Sequence, residues 1–78
     1  MFYTYVLRSK SDGKLYVGYC KDLKSRLKEH NRGQVNATKS RKPYVLVYYE
    51  ACLSGEKAIK REKYFKTGFG RRFLKNRI

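Results

Sequence analysis

Two short, mainly apolar stretches early in the chain have the pattern of β-strands. Phe2–Arg8 (FYTYVLR) and Leu15–Cys20 (LYVGYC) are rich in aromatic and β-branched residues, which favour strands. Asp12 and Gly13 stand between them and are typical of a type I′ hairpin turn, because both residue types tolerate a positive φ. The pattern therefore predicts an antiparallel β-hairpin.

The position of the turn decides which side chains share a face of the sheet. A two-residue turn at Asp12-Gly13 would place Tyr5 opposite Cys20. Because side chains alternate along a strand, one face would then carry two tyrosines together with small and apolar neighbours. The residues on that face are Tyr5, Leu7, Tyr16, Gly18 and Cys20.

A helix is predicted directly after the hairpin. Asp22 is a good N-cap for Leu23–Asn31, and Gly33 favours the end of the helix. On a helical wheel, Arg26 and His30 lie beside the leucines, on the side of the helix that packs. Each has an ordinary structural explanation, since Arg26 can extend its stem to solvent and His30 can interact with the helix dipole.

The second half of the chain predicts one more strand and two helices. A polar, basic loop at residues 31–42 precedes Tyr44–Leu53, which is apolar enough for a strand covered on both faces. Ser54 can cap a helix over Gly55–Lys66, and a short basic helix, roughly Gly70–Asn76, follows. The order β-β-α-β-α-α predicts an α+β fold.

Glu62 is predicted in the middle of an apolar helix face. Helical spacing places Ala58 and Phe65 near it, whereas the neighbouring lysines fall outside this arc. A carboxylate in such a position is costly unless it is paired or bound to a metal. Two interpretations remain open: a structural ion pair with one of the many Lys or Arg side chains, and a metal ligand.

The charge of the chain indicates a polyanionic partner. Twenty Lys and Arg against six Asp and Glu give a net charge of +14 over 78 residues. Such a field attracts phosphate backbones, so nucleic acid is the predicted partner, and charge alone favours a ribosomal or architectural binder. Residues 1–78 are expected to form a single cytoplasmic domain with no membrane partner, since no apolar run approaches the roughly 20 residues of a membrane span.

The small supply of acidic residues and histidine limits the chemistry. A two-metal nuclease generally needs several carboxylates, and His30 is the single histidine, so separate histidine acid and base are excluded. Cys20 and Cys52 with that histidine cannot form a four-ligand zinc site and are expected as reduced thiols. A chain that cleaves phosphodiesters with these residues would use tyrosines, an arginine and one carboxylate holding one metal.

The ordered motifs resemble those of the GIY-YIG nuclease family. Tyr3-Thr4-Tyr5 and Tyr16-Val17-Gly18 are similar to the two motifs that name the family, although the first keeps only its tyrosine. The family's arginine, eight residues after the glycine, corresponds to Arg26, and its metal-binding glutamate to Glu62. The resemblance covers nearly the whole chain and is greatest to small, stand-alone members.

The resemblance implies a three-stranded antiparallel sheet flanked by helices and a metal-dependent endonuclease, with DNA favoured over RNA. Glu62 would hold one divalent ion, Mg²⁺ being the expected one, and Arg26 would stabilise charge on the phosphate. Either tyrosine would orient or deprotonate the attacking water, assisted by His30. The implied catalytic residues are Tyr5, Tyr16, Arg26, His30 and Glu62. The alternative is a non-catalytic nucleic-acid-binding module, and a partner protein or a homodimer is a further candidate partner.

Overall fold

The computed structural model describes all 78 residues and contains one three-stranded antiparallel sheet with α-helices on both faces. The strands are β1 (Phe2–Ser9), β2 (Leu15–Cys20) and β3 (Tyr44–Cys52), in the spatial order β2-β1-β3. The helices are α1 (Leu23–Asn31), α2 (Gly55–Phe65) and α3 (Gly68–Lys75), with a 3-10 turn at Lys39–Arg41. The predicted α+β class and β-β-α-β-α-α order are confirmed.

Side-chain caps fix where the helices begin. The Asp22 carboxylate accepts the backbone N–H of Ser25, and the Ser54 hydroxyl accepts that of Lys57, so both predicted N-caps are correct. The third helix begins earlier than predicted, because the Thr67 hydroxyl accepts the N–H of Gly70 and caps the helix there.

The predicted register of the hairpin is wrong by two residues. Tyr5 lies opposite Gly18 rather than Cys20, and residues 10–14 form a loop longer than a two-residue turn. Within this loop only Gly13 has a positive φ, of 74°, and the Ser9 hydroxyl accepts the backbone N–H groups of Ser11 and Asp12. A shift by two residues leaves every side chain on its predicted face, because the side-chain repeat of a strand is two.

The central strand of the sheet is β1. The prediction that β3 is buried on both faces is wrong. Val6 and Leu7 are fully buried, whereas Tyr44 is the only buried residue of β3 and Tyr49 is 54% exposed. The apolar character of β3 favours burial on both faces, but β3 is an edge strand whose side chains are mostly half-buried. An apolar run does not by itself distinguish these two positions.

The two faces of the sheet are packed in different ways. Val6 and Val17 of one face pack against Phe65 of α2 and Leu74 of α3, which gives an apolar layer. The opposite face carries tyrosines from all three strands and is covered by the leucines of α1. The candidate catalytic side chains from the hairpin and α1 lie on this second face.

Candidate active site

A chain of hydrogen bonds runs from β1 through α1 to the loop before β3. The Tyr5 hydroxyl lies 2.8 Å from Nε2 of His30, and Nδ1 of His30 lies 2.7 Å from the Thr38 hydroxyl. All three side chains are almost fully buried. His30 is therefore neither a solvated helix-end residue nor a simple core aromatic, because both of its ring nitrogens have buried partners.

The network assigns the proton positions in this chain. The Thr38 hydroxyl lies 3.4 Å from the carbonyl oxygen of Val35, and when it donates there it accepts from Nδ1–H of His30. Nε2 of the neutral ring then has no proton and accepts the hydroxyl proton of Tyr5. The arrangement gives Tyr5 a ready acceptor for its proton.

The charges of the three central groups follow from burial and from one ion pair. Burial raises the pKa of Tyr5 to about 12, an effect that Arg26 only partly offsets. Burial also lowers the pKa of His30 below its ordinary value of 6.5, and Arg26 adds to the decrease. The hydrogen bond that Arg26 donates to Glu29, followed by the interaction with Tyr5, raises the pKa of Arg26. At neutral pH, Tyr5 is thus protonated, His30 is neutral and Arg26 is charged.

Arg26 lies between this buried chain and solvent. Its Nη1 donates to Glu29 Oε1 at 2.9 Å within α1, and its side chain is 35% exposed. One edge of the guanidinium is therefore held by Glu29, while the group also interacts with Tyr5. A partly exposed, permanently charged guanidinium in this position can bind a phosphate oxygen.

Tyr16 stands beside the same histidine with its hydroxyl free. The ring centroids of Tyr16 and His30 are 5.1 Å apart, and those of Tyr16 and Tyr5 are 6.5 Å apart. Tyr16 is half-buried and makes no side-chain hydrogen bond within the chain, so its hydroxyl is available to a ligand. The expectation that both tyrosines share a face with His30 agrees with this geometry.

The Tyr5 ring packs directly against Gly18. A Cβ atom added to Gly18 would lie 2.5 Å from the Tyr5 hydroxyl oxygen, far inside contact distance. Gly18 is directly opposite Tyr5 in the hairpin and does not have a positive φ, so the reason for glycine is space. The glycine of the second motif therefore allows the tyrosine of the first to reach His30.

Glu62 makes an ion pair on α2. Its Oε2 accepts a hydrogen bond from Nζ of Lys66 at 2.9 Å, with the Glu62 side chain 18% exposed and that of Lys66 54% exposed. Glu62 is the most buried carboxylate among the four ion pairs, as its place on the apolar arc predicts. The lysine end of the pair is therefore in contact with solvent.

The residues around Glu62 fit a divalent ion that keeps most of its water. No cluster of three or more His, Cys, Asp or Glu side chains is arranged to hold a metal ion. Mg²⁺ is commonly held by one or two carboxylates together with water and substrate phosphate, so a single carboxylate of low exposure is an adequate protein ligand. The second oxygen of Glu62 has no hydrogen bond, and Lys66 is a cation that a metal could displace.

Two features of the site were not identified from the sequence. Thr38 lies in a polar loop whose composition gives no signal of burial, yet it holds the His30 ring. Lys66 as the partner of Glu62 could have been predicted, since residues four apart are neighbours on a helix. The candidate cysteines, Cys20 and Cys52, are free thiols, as expected.

A comparison with protein-family models gives a match over nearly the whole chain. The model of the GIY-YIG catalytic domain matches residues 1–76. The chain therefore belongs to the GIY-YIG family, which is a family of nucleases that generally use divalent metals.

Relatives within the family are small proteins named UPF0213. The chain is similar to UPF0213 proteins of Staphylococcus aureus strains Mu3 and N315, with 46% identity over 66 residues, covering 83% of this chain and 79% of each relative. It is also similar to the solution NMR structure of the UPF0213 protein BH0048 from Bacillus halodurans. That match has a TM-score of 0.59 and 34% identity, and it covers 97% of this chain and 84% of the other.

None of the helices has the length and the apolar composition that a membrane crossing requires.

Proposed function

We propose that this domain is a metal-dependent endonuclease that hydrolyses phosphodiester bonds of nucleic acid, with DNA as the preferred substrate. The observation that carries the proposal is the buried hydrogen bond between Tyr5 and His30 beneath the charged Arg26. The pair places a proton acceptor for Tyr5 inside the fold, next to a guanidinium that is 35% exposed to solvent. Proton transfer next to an anion-binding group is the chemistry that this arrangement suits.

In the proposed reaction, Arg26 binds a non-bridging oxygen of the scissile phosphate and stabilises the charge that develops there. Tyr16, whose hydroxyl is free, orients the attacking water. Tyr5 accepts a proton from that water while its own proton passes to Nε2 of His30. The new bond from water oxygen to phosphorus forms as the bond to the 3′ oxygen breaks. The 3′ oxygen leaves as an alkoxide and takes a proton from solvent, and His30 ends the step protonated.

This coupled transfer resolves the difficulty posed by a tyrosine base. With a pKa of about 12, Tyr5 is not ionised at neutral pH, so a standing phenolate is not available. Moving both protons together avoids that ion, because the Tyr5 oxygen gains one proton as it loses the other. Arg26 stabilises any phenolate character during the transfer, as its opposing effect on the Tyr5 pKa indicates.

Glu62 is proposed to hold one divalent ion, Mg²⁺, and Lys66 would release the carboxylate to it. When bound, the ion would supply positive charge beside the phosphate and the departing oxygen. The several surface lysines and arginines would hold the nucleic acid independently of this group, since the net charge is +14.

One assay tests the proposal directly. Plasmid DNA, branched DNA and RNA are incubated with the protein in Mg²⁺ or in chelator, and products are resolved on gels. Cleavage in Mg²⁺ should be lost in Tyr5→Phe and Tyr16→Phe. Tyr19→Phe is the matched control, because Tyr19 is on β2 but 42% exposed and outside the candidate site. Binding without any cleavage would instead favour the non-catalytic module.

A further inference from the structure

A cavity of about 260 Å³ opens at the outer edge of β2, next to Tyr16. Its walls come from β2 and from the junction between α2 and α3, where the chain turns after Phe65. The lining residues are Leu15, Tyr16, Val17, Phe65, Lys66, Arg71 and Leu74. The cavity thus shares Tyr16 with the candidate active site but lies on the side away from His30, toward α3.

The floor of the cavity is apolar and firmly packed. Phe65 and Leu74 are 1% exposed and Val17 is 8% exposed, and all three belong to the main apolar cluster of the fold. Side chains packed in this way do not rearrange to admit a ligand, so the cavity exists before binding. A flat apolar group would fit against this floor.

Positive charge is confined to the mouth. Arg71 is exposed, and its side chain makes no hydrogen bond, ion pair or aromatic contact. Lys66 is more than half exposed and pairs with Glu62, the proposed metal ligand. The outer edge of β2 also leaves backbone N–H and C=O groups unused by the sheet. The mouth therefore offers one free cation and several hydrogen-bonding groups around an apolar interior.

We propose that this cavity binds one nucleobase of the substrate, with the phosphate attached to that nucleotide held by Arg71. The inference rests on the proposed function, because it assigns the part of the nucleic acid that lies next to the scissile phosphate. The volume is slightly below the range of about 300–1,000 Å³ typical of pockets for larger ligands, which suits a single base. The base would leave its stack and pack against the apolar floor of the cavity, where Phe65 supplies an aromatic ring.

Three probes distinguish a base from an anion at this site: adenosine monophosphate, adenosine and inorganic phosphate. Each is titrated into the metal-free protein while methyl signals of Leu15, Val17 and Leu74 are followed by NMR. Adenosine monophosphate should shift these methyl signals, and adenosine should shift the same signals with about tenfold weaker affinity. Inorganic phosphate should leave them unchanged. Phosphate giving the same methyl shifts as the nucleotide, or no methyl shift with any probe, would overturn the assignment.

Two arginine variants test the polar part of the site. Arg71→Gln should weaken binding of adenosine monophosphate by about tenfold and leave adenosine unaffected. Arg72→Gln is the matched control, since Arg72 is on the same helix but lies over the Phe69 ring rather than at the cavity. Equal weakening by both variants would show general charge attraction and contradict a specific subsite. Leu15→Trp, which fills the cavity from its half-buried rim, should abolish both nucleotide and nucleoside binding while the circular dichroism spectrum stays native.

The subsite and the nuclease proposal can fail separately. The protein could cleave DNA while the methyl signals of the cavity do not change on addition of adenosine monophosphate. That result would overturn the subsite and leave the nuclease assignment unaffected. Nucleotide binding in the cavity without cleavage in any divalent metal would support the subsite and overturn the nuclease assignment.

Discussion

The Tyr5 hydroxyl lies 2.8 Å from Nε2 of His30, and neither side chain is more than 1% exposed. The bond joins the central strand to the first helix, so it stabilises the fold and orients both groups. Its direction depends on Thr38, which accepts from Nδ1 of His30 and thereby leaves Nε2 without a proton. A loop residue outside both named motifs thus determines which way the tyrosine proton can move.

Replacement of Thr38 by Val should change the tautomer of His30. The variant leaves Nδ1–H of His30 buried without an acceptor, which costs about 1–3 kcal/mol in the free energy of unfolding measured with urea. The ring should then populate the tautomer protonated at Nε2, and ¹⁵N NMR of the ring reports that change directly. Thr38→Ser keeps the hydroxyl and should restore both the tautomer and cleavage. A Val variant with an unchanged tautomer would contradict the assigned role.

Gly18 and Gly68 provide a matched pair of glycines. In Gly18→Ala the new Cβ would meet the Tyr5 hydroxyl at 2.5 Å, so Tyr5 must move and lose its bond to His30. We expect a loss of about 1–3 kcal/mol in the free energy of unfolding, together with loss of cleavage. Gly68→Ala adds a Cβ with no atom within 4 Å in the first turn of α3, and it should be neutral or slightly stabilising.

The comparison with the sequence shows why the tyrosine face could be predicted although the hairpin register was wrong. The error of two residues changed the partner of Tyr5 from Cys20 to Gly18 but kept both tyrosines on one face. Helical spacing likewise put Arg26 and His30 on the packing side of α1. Periodicity therefore determines the face of each residue, and it does so even when the turn is assigned incorrectly.

Contacts between distant parts of the chain could not be predicted in this way. The contact of Thr38 with His30 depends on how the loop at residues 31–42 folds back, and loop composition carries no such information. The edge position of β3 depends on strand order, since the same apolar run would suit a central strand. The cavity beside Tyr16 forms only where α3 meets β2, so it has no signature in any single segment.

The buried histidine predicts a specific dependence of stability on pH. Because the pKa of His30 is lower in the folded state, its contribution is fully present above the unfolded value of about 6.5 and is lost as pH falls through the folded value. The melting temperature should therefore decrease below about pH 6.5. Asp12 and Asp22 also have lowered pKa values, but from 3.8, so their effect is confined to more acidic solution.

Calorimetric melts between about pH 4.5 and 7.5 isolate this histidine. His30→Gln removes the titrating group, and its melting temperature should be lower than that of the wild type at neutral pH but nearly independent of pH in this interval. A wild-type melting temperature that stays constant from pH 7 to 5 would show that His30 is not held neutral by burial.

The role of Glu62 is tested by Glu62→Gln, with Glu56→Gln as a control in the same helix. Each variant removes one negative charge from α2, but Glu56 is exposed in the first turn, whereas the Glu62 side chain is 18% exposed and paired with Lys66. An ion pair of this type, in which one partner is exposed and lies four residues along the helix, contributes about 0.3–0.5 kcal/mol to the free energy of unfolding. Both variants should therefore unfold within about 1 kcal/mol of the wild type, rather than the 3–5 kcal/mol typical of a broken buried pair.

Activity should separate the two variants although stability does not. Glu62→Gln keeps the shape of the side chain but loses the charge that holds a divalent cation, so cleavage should fall by orders of magnitude while DNA affinity remains. Glu56→Gln should cut at the wild-type rate. Lys66→Gln frees the Glu62 carboxylate from its ion pair, so that Mg²⁺ no longer competes with the ammonium group for it. A lower concentration of Mg²⁺ should then be enough to raise the melting temperature of this variant. If Glu62→Gln cleaves as fast as Glu56→Gln, or if Mg²⁺ stabilises both equally, Glu62 is half of a surface ion pair and the metal binds elsewhere.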